Sequence, residues 1–161
     1  MINSAVRGVV ISAFTTALAL FPAMAAHAEG KDKDNDIEKV TLTGVNVLDT
    51  MPDYVEVGDS WVTHLKLYSV KKKQLRYAGD AESECSAVKA SADELTAQCT
   101  RVLRLKKGKL TLSDMITYKP DEPVTAKTGI IGGTGHYRSA YGDGYITLEG
   151  HRVHLTLNID E

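Results

Sequence analysis

From Lys39 onward apolar residues recur at every second position, and no stretch of a dozen residues carries the 3.6 repeat of an amphipathic helix. That alternation predicts strands. Eight segments carry it: Glu38 to Asp49, Ser60 to Val70, Leu75 to Val88, Glu94 to Lys106, Lys109 to Tyr118, Pro123 to Gly132, Ala140 to Glu149 and Arg152 to Ile159. The breaks between them are rich in Pro, Gly, Asp or Lys, and most are short enough to be hairpins. Eight strands joined in this way form an up-and-down meander, and closing it removes the two open edges of a flat sheet. The expected fold is all-β: an eight-stranded antiparallel barrel with a central lumen, either filled by side chains or holding one small ligand.

The alternation also assigns an interior. In the fourth segment Leu95, Ala97, Cys99, Arg101, Leu103 and Leu105 share a face; in the fifth, Leu110, Leu112, Asp114, Ile116 and Tyr118 do. Two ionisable residues, Arg101 and Asp114, thus interrupt apolar inward faces. A tight turn centred on Lys107-Gly108 would set them directly opposite each other. A buried guanidinium needs a partner, and a carboxylate that accepts two of its N–H groups is the best one. The pair reads equally as a structural ion pair and as a polar anchor, the catalytic candidate, at the floor of an apolar pocket. Trp61 shares the inward parity of Thr63, Leu65 and Leu67 and is expected at one mouth of the barrel.

The first 28 residues have a different character. Arg7 precedes an apolar run from Gly8 to Phe21, followed by Pro22 and the small-residue sequence Ala26-His27-Ala28. Charged, apolar and cleavage regions in that order predict a secretory signal cut after Ala28. The run is shorter than the roughly 20 residues needed to cross a bilayer, so no membrane span is expected. Residues 29–37, mostly alternating Lys and Asp, read as a disordered leader, and 38–161 as the single domain.

Removing the signal takes away Arg7 and no acidic residue, moving the net charge from −2 to −3. A nucleic-acid partner is therefore not expected. Lys71-Lys72-Lys73 lies between two strand segments and reads as a solvated hairpin loop. The two cysteines, Cys85 and Cys99, would sit opposite each other if the hairpin between them is centred near Ala92. In an exported chain an even cysteine count favours a disulfide over a free reactive thiol.

Histidines 64, 136, 151 and 154 lack zinc-type spacing, and His151 and His154, three apart on a strand, face opposite sides. No strand-to-helix nucleophile elbow is present, and the glycine-rich turn after the sixth segment lacks the lysine and helix of a phosphate loop. No metal or cofactor is expected.

The segment Thr128 to Gly142, Thr-Gly-Ile-Ile-Gly-Gly-Thr-Gly-His-Tyr-Arg-Ser-Ala-Tyr-Gly, resembles a strand, glycine turn and aromatic corner shared by dirigent proteins and allene oxide cyclases. Gly132, Gly133 and Gly135 would serve a sharp turn, and Gly142 a bend or close approach. Gly58-Asp59, Leu67-Tyr68-Ser69, Gly79 and Cys85 resemble the second and third strands of the allene oxide cyclase barrel. Together these matches identify the chain as similar to a bacterial-type, secreted member of the allene oxide cyclase barrel-like family. Of the polar positions that steer the substrate in the plant cyclase, aligned here with Gly44, Asn46 and Leu65, only Asn46 is kept, so the cyclase's own reaction is not implied.

What the resemblance implies is a lumen that holds a flexible hydrophobic molecule in one folded shape, a form of catalysis by restriction. The expected activity is cofactor-independent cyclisation or isomerisation of a polyene, polyketide, lipid-derived or phenolic compound. Arg101 and Asp114 would be the anchor. Asn46, Trp61, Thr63, Leu65, Tyr77, Leu103, Leu112, Tyr118 and Thr128 would line the lumen. A non-catalytic carrier and a filled structural barrel are the alternatives; a cavity with polar groups at one end would favour the first reading. Homodimers or homotrimers are implied by the resemblance alone.

Overall fold

The computed structural model describes residues 37–71, 74–119 and 122–160; the expected signal and nearly all of the leader lie outside them. Eight strands account for most of this span: β1 (Glu38–Asp49), β2 (Ser60–Lys71), β3 (Gln74–Ala90), β4 (Leu95–Leu105), β5 (Gly108–Tyr118), β6 (Val124–Gly135), β7 (Tyr141–Glu149) and β8 (Arg152–Asp160). Each pairs antiparallel with the next, and β1 pairs with β8, so the sheet closes. The fold is the expected closed barrel. Among the described residues no helix is long and apolar enough to cross a membrane.

Closure gives the sheet one inner and one outer face, and the period of two decides which residues enter. Leu65, Leu67, Leu103, Leu110, Leu112, Ile116, Ile146, Leu155, Leu157 and Ile159 are almost fully buried and form the larger apolar cluster. Tyr137 and Ala140, from the β6–β7 connection, are buried with it toward that end of the barrel. A smaller cluster at the other end joins Trp61, Cys85, Ala87, Ala97 and Cys99. Cys85 and Cys99 are direct cross-strand partners with Cα atoms 4.1 Å apart, and they form the disulfide.

Two expectations about register need correction. Arg101 does not face Asp114: the turn is Lys106-Lys107, so Leu105 pairs with Gly108, Arg101 with Leu112, and Asp114 with Cys99. The two residues are diagonal neighbours, still within reach of a long side chain. Tyr77 does not enter the lumen. At Gly79 the β2–β3 register slips, Leu67 pairing with Gly79 but Tyr68 with Tyr77, so one residue is bulged and the parity beyond it reverses. Gly79 has φ of +153°, and a Cβ there would lie 2.0 Å from the Arg104 carbonyl oxygen.

The glycine turn also differs in detail. β6 continues through Gly132 and Gly133 to Gly135, and only at Gly135, with φ of +68°, does the chain leave the strand. Gly133 permits close packing instead, since a Cβ would lie 2.2 Å from the Tyr137 carbonyl. At Gly142 the backbone passes equally close to Asn158, the close approach expected there.

Candidate functional site

A cavity of about 220 Å³ opens at the end of the barrel where β1, β3, β5 and β7 finish and β2, β4, β6 and β8 begin. Trp61, Thr63 and Leu65 supply one wall from β2, and Val124, Leu148 and Val153 supply the facing one. Cys85 places the disulfide in the lining, while Asn46 and Asp49 of β1 stand near the rim. The Asn46 amide donates to Asp49 Oδ2 at 3.2 Å and its carbonyl accepts from the Leu48 N–H, so it is held at the mouth.

Arg101 forms the floor. Its Nε donates to Asp114 Oδ2 at 2.9 Å and its Nη2 to Oδ1 at 3.1 Å, the two-pronged geometry that suits guanidinium and carboxylate. Nη1 donates to Ser83 Oγ at 2.9 Å. Thr128 completes the layer by presenting its hydroxyl to Asp114 Oδ2 at 3.3 Å. All four side chains are buried, and no buried side-chain nitrogen or oxygen among the described residues lacks a partner. A guanidinium has five N–H groups, so the three bonds to Asp114 and Ser83 leave two beside the cavity.

The cavity touches Arg101 but not Asp114 or Thr128. These two stand behind the anchor and hold it, so Asp114 belongs to the support and not to the contact surface. Leu103 and Leu112 face inward as expected, but they are packed in the filled part of the barrel. Tyr77 lies outside, where its hydroxyl donates to Asp80 Oδ2 at 2.6 Å; that bond raises the tyrosine's pKa and lowers the carboxyl's.

Met51, Glu122 and His151 also line the cavity. The strand periodicity missed them because all three sit in connections, where alternation does not apply. Ser83 was legible, since it shares the inward parity of Ala81 and Cys85, but a lone serine between apolar neighbours gives no sign of its partner. Among the described residues, no group of three His, Cys, Asp or Glu side chains converges as metal ligands would.

With this geometry in view, the chain can be set beside known proteins. No family model matches it, and no curated protein matches it. Among solved structures, a pyocyanin demethylase superposes with a TM-score of 0.55 at 21% identity, over 76% of this chain and 99% of that one. The pterocarpan synthase dirigent protein PsPTS1 superposes with a TM-score of 0.57 at 11% identity, covering 78% and 95% of the two chains. A second such protein, GePTS1, gives 0.51 at 16% identity, over 76% and 83%. The fold is a dirigent-like barrel. At these identities the likeness is one of architecture.

Within this barrel, Tyr118 is the tyrosine of the cavity lining. Burial raises its pKa above the ordinary 10, against the opposing charge and hydrogen bond of Arg101. The neutral phenol is therefore the favoured form in the folded state, and its contribution to stability is complete below pH 10. It is lost as pH rises through the higher folded value. A tyrosinate absorbance titration of Tyr118→Phe should lose one tyrosine's amplitude from the component that ionises later than free tyrosine, to which Tyr77 and Tyr141 also contribute. Loss of that amplitude from the ordinary range near 10 instead would place the hydroxyl in solvent.

Proposed function

We propose that this protein binds a small, oxygen-bearing ring compound in the mouth cavity and steers its cyclisation or isomerisation by holding one conformation. The observation that carries the reading is Arg101, the one buried cation among the described residues, which borders the cavity and is fixed from behind by Asp114 and Ser83. Such a group orients a carbonyl or phenolate oxygen while the apolar walls and Trp61 enclose the rings. Tyr118, kept as the neutral phenol, supplies a second donor.

Cavity size narrows the substrate. An apolar cavity of about 150 Å³ accepts benzene, so 220 Å³ takes about two fused rings and leaves anything longer projecting through the mouth. A compact phenolic or polycyclic compound fits better than an extended polyene. The names of the neighbouring structures, a demethylase of pyocyanin and synthases of pterocarpans, attach small-molecule chemistry to this architecture and support the reading. Export through residues 1–28 belongs to the same proposal, supported by a disulfide suited to an oxidising compartment.

Trp61 is the chain's only tryptophan and stands in the cavity wall, so its emission is a direct probe. Titration with phenol, 2-naphthol and 7-hydroxychromone should give saturable quenching, strongest for the two-ring compounds. Losing a hydrogen bond to a charged donor is worth about 1.5–3 kcal/mol, so the paired variant Arg101→Leu/Asp114→Leu should bind at least about tenfold more weakly. No saturable quenching by any of the three, or equal binding by that variant, would sink the proposal. Recovery of every bound compound unaltered after prolonged incubation would replace catalysis with carriage.

A further inference from the structure

At the end opposite the mouth cavity two strand pairings stop short. β1 is last paired to β2 at Thr43–Tyr68 and β4 to β3 at Leu105–Gly79, yet β1 continues along β8 to Glu38, and β2 and β3 stay paired through Ser69–Arg76 to Lys71–Gln74. The β2–β3 hairpin thus runs on without a neighbour on either side, and a cleft of about 490 Å³ is lined by it, by the start of β1 and by the β4–β5 turn. This cleft shares no lining residue with the mouth cavity. Along β4 the inward series places Leu105 in the cleft, Leu103 fully buried and Arg101 at the mouth cavity, so a packed layer separates the two.

Strand parity brings a cation to this cleft. Ser69 continues the inward series of Leu65 and Leu67, and Arg76 is its direct partner, so both lie on the lumen side of the hairpin and both line the cleft. The β4–β5 turn adds Lys106 and Lys107, while Val40, Leu42, Ala78, Leu105 and Tyr137 supply apolar surface. The lining holds one carboxylate, Glu38, and it is already engaged: Oε1 accepts from Lys107 Nζ at 3.2 Å, and Oε2 lies 3.4 Å from His136 Nε2. Arg76 and Lys106 have no carboxylate partner among the described residues. Two uncompensated cations beside apolar surface, in a chain of net charge −2, select an anion with an apolar body. The planar guanidinium of Arg76 suits a carboxylate, which can accept two parallel bonds from it, and Lys106 adds a point charge. We infer that this cleft is a second binding site, for a compact aromatic carboxylate whose rings rest on Leu105 and Tyr137 and whose charge meets Arg76 and Lys106.

Titration of 15N-labelled protein with 2-naphthoate, followed by amide chemical shifts, tests this. The amides of Ala78, Leu105 and Tyr137 should move saturably, and 2-naphthol, the same rings without the carboxylate, should bind there at least tenfold more weakly. Amides of Thr63 and Cys85 report the mouth cavity separately, so an empty mouth would leave the cleft's result intact. Raising the salt concentration should weaken the naphthoate response at the cleft, because its cations are exposed to screening. Arg76→Gln/Lys106→Gln should weaken it at least about tenfold, the loss expected when charged donors are removed. Both side chains are exposed, and retained shift dispersion shows that the variant folds. The comparison of the two naphthalenes uses the parent protein alone and holds whatever the variant does. The inference is overturned if 2-naphthoate moves only mouth amides, if 2-naphthol binds the cleft as tightly, or if the folded variant binds like the parent.

Discussion

Arg101→Leu is expected to destabilise the barrel by about 3–5 kcal/mol, the usual cost of leaving one member of a buried ion pair without its partner. Asp114 has a side chain with no exposed surface, and the Thr128 hydroxyl would be its one remaining side-chain partner. Its carboxylate has no route to water. Asp114→Leu should cost less, because Arg101 borders the cavity and its guanidinium can turn toward the mouth. The paired variant Arg101→Leu/Asp114→Leu removes both charges and fills the layer with apolar volume, so it should return to within about 1 kcal/mol of the parent. Urea denaturation of the four proteins makes a double-mutant cycle. Additive losses would show that the two residues act separately, contrary to the bidentate geometry.

The cycle also separates the two roles of this layer. If the paired variant folds as well as the parent but no longer holds ring compounds, stability was never the reason for a charge at that depth. The ion pair would then be a means of placing N–H donors at the cavity floor.

The second large effect is expected at the disulfide. Cys85 and Cys99 are 14 residues apart and join β3 to β4. Restricting a loop of that size in the unfolded chain is worth about 3 kcal/mol on chain-entropy grounds. The variant Cys85→Ala/Cys99→Ala should lose about that much, which for a domain of this size lowers Tm by about 10 °C. Thermal unfolding of the parent with reductant should show a similar drop, and the variant should ignore reductant. Equal melting with and without the bridge would mean that the β3–β4 hairpin is already ordered in the unfolded ensemble. Since Cys85 also lines the cavity, the variant should weaken ligand binding as well.

The amino-acid sequence alone determined the architecture. A period of two is written into the order of residues, and Leu110, Leu112 and Ile116 can only be buried together if the strand carrying them faces a core. Closure follows because eight such strands leave two edges that satisfy each other. The Cys85–Cys99 pairing was legible for the same reason, both residues flanking one short hairpin.

Tertiary structure decided the rest, wherever a position depends on an event elsewhere in the chain. A turn one residue earlier than the glycine suggested moved Asp114 from Arg101 to Cys99, and only side-chain length restored the contact. A single bulge beside Gly79 reversed the parity beyond it and sent Tyr77, a lumen candidate, to the exposed outer face. The cavity takes its rim from Met51, Glu122 and His151, in connections without periodicity. Alternation is local and survives translation into structure, whereas register, bulges and the space left between packed side chains are settled only when all eight strands meet.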